Sequence, residues 1–370
     1  MENKKLEPYS IFFSMGLLSA LFGVLLWLGF QTRFISFFPR QAHGNLMFFS
    51  FIWSYVAGFL MTAIPKMTRT ESPKTVELFF AIFMVILQWV LNLRNETLLS
   101  IYLYLIQILF LLFFILRRIR HRQQIPFEGF VFIPFAFLSA FVGAWFFISS
   151  QNQNYQLFYF FSGQAFILNL ICGLGSRLIP VITRVPAAIP PDVNTVKTKY
   201  LEFFIMAVLL NSSFYIEFLV NPQIGNFLKA LVLIFIAIKN FKLLLPPATR
   251  SFLGWGIRSS VLLMILGYVG LGLTSEISLP LLHLVYIGGF ALITLMISTR
   301  VTLAHGPQNT APELDSKAIV MTFLFFGLAA LFRVFAGTSL TSLFLSLSIF
   351  LFIAALLTWS IRFLKELLRF

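Results

Sequence analysis

Apolar runs long enough to cross the hydrocarbon of a bilayer recur from one end of this 370-residue chain to the other. A segment in hydrocarbon must satisfy its own backbone hydrogen bonds, so only helices and closed barrels can span. A barrel would show short alternating strands, and these runs are long and continuous. Composition agrees: 59% of residues are hydrophobic, 11% are charged, 48 are Phe, and the mean hydropathy is +0.91. A soluble domain of this length would need far more polar surface. The chain therefore reads as all-α, a polytopic transmembrane helical bundle.

At roughly 20 residues per crossing, the runs divide into about twelve spans. They cover residues 10–30, 44–64, 76–93, 98–116, 130–148, 156–178, 200–220, 224–243, 252–273, 279–301, 318–336 and 342–364. Asn221-Pro222-Gln223 makes a very tight turn between the seventh and eighth. Pro180 is expected to end or kink the sixth. No linker is long enough for a second domain, so residues 1–370 read as one transmembrane domain, with no strong internal repeat. The longest loops, 185–198 and 305–316, hold Pro186, Pro190, Pro191, Pro307 and Pro312.

The formal net charge of +14 invites a nucleic-acid reading. Its distribution argues against one, because the basic residues fall in alternate loops. Lys4 and Lys5, Lys66, Arg69 and Lys74, Arg117 to Arg122, Arg184, Lys197 and Lys199, Lys242 and Arg250, and Arg362, Lys365 and Arg369 share one side. The opposite loops hold little beyond Arg33, Arg40 and Arg94. By the positive-inside rule both termini are cytoplasmic, and even-numbered spans begin outside. The polar N-terminus followed by a full-length span gives no sign of a cleavable signal peptide. The single Cys172 makes no intrachain disulfide and reads as a small packing residue.

Chemistry points to the four histidines. His43 opens the second span and His283 the tenth, so both imidazoles are expected near the outer boundary. His305 is twenty-two residues beyond His283, roughly 33 Å along a helix, and belongs to the opposite side. Two neutral imidazoles at one depth on different helices suit the axial positions of a haem, or part of a copper site. Arg40 is one turn before His43 and could pair with a propionate. Met47, Ser50, Ser54 and Gly58 share the His43 face, and with Gly44, Gly288 and Gly289 leave room for a macrocycle or for a neighbouring helix. A histidine at a helix end is also compatible with a purely interfacial role. His121 reads as a solvated loop residue.

Polar groups within spans need partners: Gln88, Gln107, Gln164, Asn169, Glu202, Asn211, Glu217, Lys229, Arg258 and Arg333. Lys229 and Glu217 lie near span ends and are expected to snorkel. Arg258 and Arg333 are deeper and of more interest. No Walker loop, zinc-protease motif or serine triad is present.

Ala42-His43-Gly44-Asn45-Leu46-Met47 with Gly58-Phe59-Leu60-Met61-Thr62-Ala63-Ile64-Pro65 resembles the second span of the NnrS family. So do Ser176-Arg177-Leu178-Ile179-Pro180 in the sixth span, and His283 with Gly288-Gly289 and Leu295 through His305 in the tenth. The resemblance covers essentially the whole chain. It implies a multi-pass protein of the bacterial inner membrane, tied to nitric oxide metabolism and nitrosative stress and containing haem and copper. His43, His283 and His305 match family histidines. Gln41 and Gly44-Asn45 stand where many members carry a second histidine or a Glu, and Ala304-His305-Gly306-Pro307-Gln308 replaces a glycine-rich ending. A looser similarity links the chain to the haem-copper oxidase main subunit, whose low-spin haem is held by histidines of spans two and ten. The copper ligands of that superfamily lie in spans six and seven, which here contain no histidine.

These readings converge on haem b held between His43 and His283, with no Cys-x-x-Cys-His for covalent attachment. The implied partners are the lipid bilayer, nitric oxide or another diatomic ligand, and an electron donor. His305 is a candidate for copper, for substrate or for a helix cap. Such a protein would act on nitric oxide as a redox protein or sense it. The competing reading is a secondary transporter of a small solute without haem, for which twelve helices and mid-span charges are also typical.

Overall fold

The computed structural model describes residues 7–185, 193–306, 309–337 and 341–368. Expectations placed on Lys4, Lys5, Pro186, Pro190, Pro191, Pro307, Gln308 and Arg369 fall outside the described residues. Among those residues there is no strand. Twelve helices are long and apolar enough to cross a membrane: Pro8–Gln31, Arg40–Thr68, Thr75–Leu93, Thr97–Arg120, Glu128–Ser149, Tyr155–Ile182, Lys197–Leu219, Pro222–Lys239, Phe252–Leu273, Ser278–His305, Lys317–Phe335 and Thr341–Leu367. They are spans one to twelve below. The protein is a multi-pass helical membrane protein of the predicted span number.

Contacts divide the chain into two compact units. The first is Met1–Pro126 with Val301–Asn309 and Leu356–Phe370. Here span one packs along span two, and spans three and four pair as a hairpin. Gly16 and Gly58 let the first two helices approach. A Cβ on Gly16 would lie 2.4 Å from the Tyr55 ring, and one on Gly58 2.8 Å from Phe12 Cβ. Buried amides join spans three and four. Gln88 donates to the Ser100 carbonyl at 2.9 Å, and Asn92 donates to the Ser100 hydroxyl at 2.8 Å. Each such bond contributes about 0.6 kcal/mol in a membrane.

The second unit is Phe127–Arg300 with Thr310–Ala355. Spans five and six meet backbone to backbone, since a Cβ on Gly129 would lie 2.2 Å from the Gly173 carbonyl. Span seven joins them through buried amides: Asn211 and Asn169 exchange bonds of 2.9 and 3.1 Å, and Ser139 donates to Asn211 at 2.9 Å. Spans seven to eleven then pack in chain order. The expected tight turn is present. Asn221 caps span eight by accepting from the amides of Gln223 and Ile224, with Pro222 in the first helical turn.

Pro180 does not end span six; the helix runs on to Ile182. It closes at Arg184, whose φ is 55°, with the Val185 amide donating back to the Pro180 carbonyl at 3.0 Å. A proline lacks only a donor, so its carbonyl can still accept the bond that completes a left-handed helix end. Span two ends in the same way: Arg69 has φ 51°, and the Thr70 amide donates to the Pro65 carbonyl at 2.9 Å. The two ends share Ile-Pro-x-x-Thr-Arg, Ile64 to Arg69 and Ile179 to Arg184. In each the Thr hydroxyl bonds the Ile carbonyl, at 2.7 and 2.8 Å.

Spans two, six and ten share a second feature, a π-helical stretch near the start: Leu46–Ile52, Tyr159–Ala165 and Leu284–Ala291. The recurrence at every fourth span is a repeat in local structure, where the sequence shows no strong internal repeat. Isolated π segments inside helices are frequent at functional sites.

Candidate functional site

His43 lies in the first turn of span two, three residues ahead of its π segment. Its Nδ1 is 2.8 Å from the Gly23 carbonyl of span one, and its ring meets the Trp27 ring edge-on at 6.0 Å between centroids. A carbonyl can only accept, so Nδ1 carries the proton and Nε2 the lone pair, the tautomer that ligates a metal. Met47 packs on Gly23, where a Cβ would lie 2.8 Å from its sulfur. Gly23 thus brings span two close enough for its carbonyl to reach His43. Arg40 opens the same helix and is exposed.

His283 is built alike within its own unit. It ends the short α-helical start of span ten, immediately before the π segment. Nδ1 is 2.8 Å from the Leu279 carbonyl, which fixes the same tautomer, and the ring lies edge-on to Tyr286 at 5.9 Å. His305 closes span ten, exposed, with Nδ1 3.1 Å from the Val301 carbonyl and its ring 5.5 Å from Tyr9. His121 follows span four as an exposed residue, as read from the sequence.

Within the first unit the π segment and the turn after it carry a group of unpartnered polar atoms. The Ser50 and Ser54 hydroxyls, the Trp53 indole N–H and the Tyr55 hydroxyl are buried without a hydrogen-bond partner among the described residues. Several other buried helical hydroxyls bond back along the helix, as Ser19, Thr62 and Thr322 do at 2.7 to 2.8 Å, although Thr302 does not. In a π-helix the carbonyls are displaced from that position. Four buried donors on one stretch leave polar positions to be met by ordered water or by a bound group. Histidine tautomer and orphaned donors together fit a prosthetic group beside span two.

The glycines play a different part from the one considered beside a macrocycle. A Cβ on Gly289 would lie 2.1 Å from Met264 Cγ, and one on Gly288 2.9 Å from Leu263. Span nine fills that space, as Phe12 of span one fills the space at Gly58. These are helix-packing positions. Among the described residues no three His, Cys, Asp or Glu side chains gather to hold a metal ion. An axial position on haem asks for one imidazole from a helix, not a cage.

The mid-span charges sort differently from expectation. Arg258 is a clamp on the loop after span eight, donating to the carbonyls of Leu243 and of Leu245, the latter at 3.0 Å. Lys229 does not snorkel. Its side chain is 0% exposed, ion-paired with Glu217 and ringed by Phe160, Phe214 and Tyr268. The signal was in the turn: counting outward from Asn221 sets Gly225 opposite Glu217. A Cβ on Gly225 would lie 2.4 Å from the Glu217 backbone, so Lys229, one turn further, reaches inward and back to the carboxylate. Glu313, which no motif marked, is buried between Arg300, at 2.9 Å, and Arg184, at 3.5 Å.

Fold and site define a twelve-span helical membrane protein with a histidine set just ahead of a π segment in spans two and ten. The family model described as NnrS protein matches residues 6–370. The chain belongs to the NnrS family. No curated protein matches it.

Proposed function

We propose that this protein binds haem b in the bacterial inner membrane and acts in nitric oxide metabolism or the response to nitrosative stress, with His43 and His283 as the axial ligands. The observation that carries the reading is the shared construction of the two histidines. Each sits just ahead of a π segment near the start of an even-numbered span, and each is fixed by a main-chain carbonyl 2.8 Å from Nδ1. A carbonyl on Nδ1 orients the ring and makes Nε2 more basic, which is the usual support for a histidine ligand. Family membership supports the link to nitric oxide.

When bound, the haem would supply one-electron chemistry and a binding position for a diatomic ligand. His43 and His283 would hold the haem iron through Nε2, and two imidazole ligands would favour its low-spin state. Arg40 offsets the charge of a propionate. Two strong ligands favour electron transfer or sensing over rapid turnover at this position. His305 is assigned no part in haem ligation.

The test is replacement of each histidine by Ala in the full-length protein. Either change should abolish the low-spin spectrum or convert it to high spin, and added imidazole should restore the low-spin form. Arg40→Ala should keep the haem and shift its potential. An unaltered low-spin spectrum in both histidine variants would remove the ligand assignment and favour the secondary-transporter reading.

A further inference from the structure

The buried pair of Lys229 and Glu217 is left unused by the haem reading. Charged side chains within spans are rare, and where found they mark ion pathways and proton relays. Taking two charges out of water costs several kcal/mol each, and the pair's attraction repays this only with good geometry. A pair kept only to hold spans seven and eight together would gain little over two apolar side chains.

Its surroundings point further. The Lys229 ammonium lies 4.1 Å from the Phe214 ring centroid, 4.8 Å from Phe160 and 5.4 Å from Tyr268. The Asn226 amide oxygen is 3.5 Å away on its own helix. Among the described residues no second carboxylate or cation pairs with either partner. Tyr268 is the titratable group facing the pair from span nine, and the π segment of span six offers the Phe160 ring. The Tyr268 hydroxyl accepts from Gln164 Nε2 at 2.7 Å, and the Tyr286 hydroxyl donates to Gln164 Oε1 at 3.4 Å. Tyr286 in turn lies against the His283 ring, 5.9 Å between centroids. A run of contacts inside the second unit therefore leads from Glu217 to His283, hydrogen-bonded from Tyr268 through Gln164 to Tyr286 and passing through aromatic rings at its two ends, and Gln164 and Tyr286 sit in π segments.

We infer that Glu217 and Lys229 form a membrane-embedded proton-exchange site that responds to the charge at His283. Glu217 is the partner with access to the surface, 18% exposed against 0% for Lys229. The step is a simple protonation. The Glu217 carboxylate takes one proton from the aqueous face and becomes a carboxylic acid, the Lys229 ammonium is unchanged, and the added positive charge would offset one electron given to the bound haem by a one-electron chemical reductant such as dithionite. Oxidation returns the proton. The Tyr268 and Tyr286 hydroxyls transmit the change by reorienting their dipoles, and low dielectric makes the coupling strong. The coupling rests on the haem reading; the proton exchange does not.

The experiment is a redox titration of the purified full-length protein over a range of pH, in wild type and in the K229M/E217Q double variant. Removing both charges together avoids stranding one of them, so this variant should fold. The wild-type potential should fall as pH rises through the titration of Glu217, because reduction takes up a proton. The double variant should keep the low-spin spectrum and lose that dependence. A double variant with the wild-type slope would overturn the inference. Infrared spectra of the carbon-13 glutamate-labelled protein separate the two claims. A titrating carboxyl band that disappears in E217Q supports the exchange site even in a protein without haem, which would itself overturn the coupling. Absence of such a band overturns the site.

Discussion

Glu313 shows how much one buried carboxylate can hold in this protein. It accepts from Arg300 at 2.9 Å with both oxygens and from Arg184 at 3.5 Å, and its side chain is 1% exposed. Glu313→Ala should destabilise the protein toward the lower end of about 3–5 kcal/mol, since both arginines keep some access to water. Thermal melting in detergent checks this, and Glu313→Gln should recover part of the loss. His305→Ala should leave haem content and spectrum unchanged, because His305 closes span ten at the end opposite His283, about a bilayer thickness away along the helix. Loss of haem from a well-folded His305→Ala protein would contradict the assignment. At this scale the sequence was read with mixed success. The histidines and Arg40 could be named from their places in the spans. The fate of Lys229 was legible only indirectly, in the tight turn at Asn221 that sets Gly225 against Glu217 and turns Lys229 inward. Likewise a glycine permits a macrocycle or a helix equally; Met264 and Phe12 decide the matter at Gly289 and Gly58.

Helices were the most legible part. Span nine has the predicted limits, and most others differ by a few residues at each end. Length and hydropathy decide existence, whereas helix ends depend on caps. The π segments left no mark in the apolar pattern, because these helices are apolar or small at most positions all the way round and a change of winding does not interrupt a pattern without a clear polar face. The shared Ile-Pro-x-x-Thr-Arg of spans two and six was visible as letters, but its meaning as a left-handed helix end needed the backbone. That end makes a prediction. Arg69 has φ 51°, so Arg69→Gly should be tolerated, while Arg69→Val should cost about 1–2 kcal/mol. Melting temperatures of the two variants separate the cases. Gly173→Ala should destabilise by about 1–3 kcal/mol through overpacking, because its Cβ would lie 2.6 Å from the Gly129 carbonyl, which is backbone and cannot turn aside.

For the molecule as a whole, the charge pattern of the loops predicts that both termini are cytoplasmic. A reporter active only in the periplasm, fused to the C-terminus, should be silent. Activity there would reverse the orientation and with it the outer placement of the starts of spans two and ten. Family membership and the twelve spans fix the class of protein. The haem is the claim on which the functional account depends, and the optical and electron paramagnetic resonance spectra of the purified wild-type protein test it most directly. The account expects a Soret band with α and β bands that sharpen on reduction, and a low-spin ferric signal from two histidine ligands. A colourless protein, or a haem that is wholly high-spin, would contradict it.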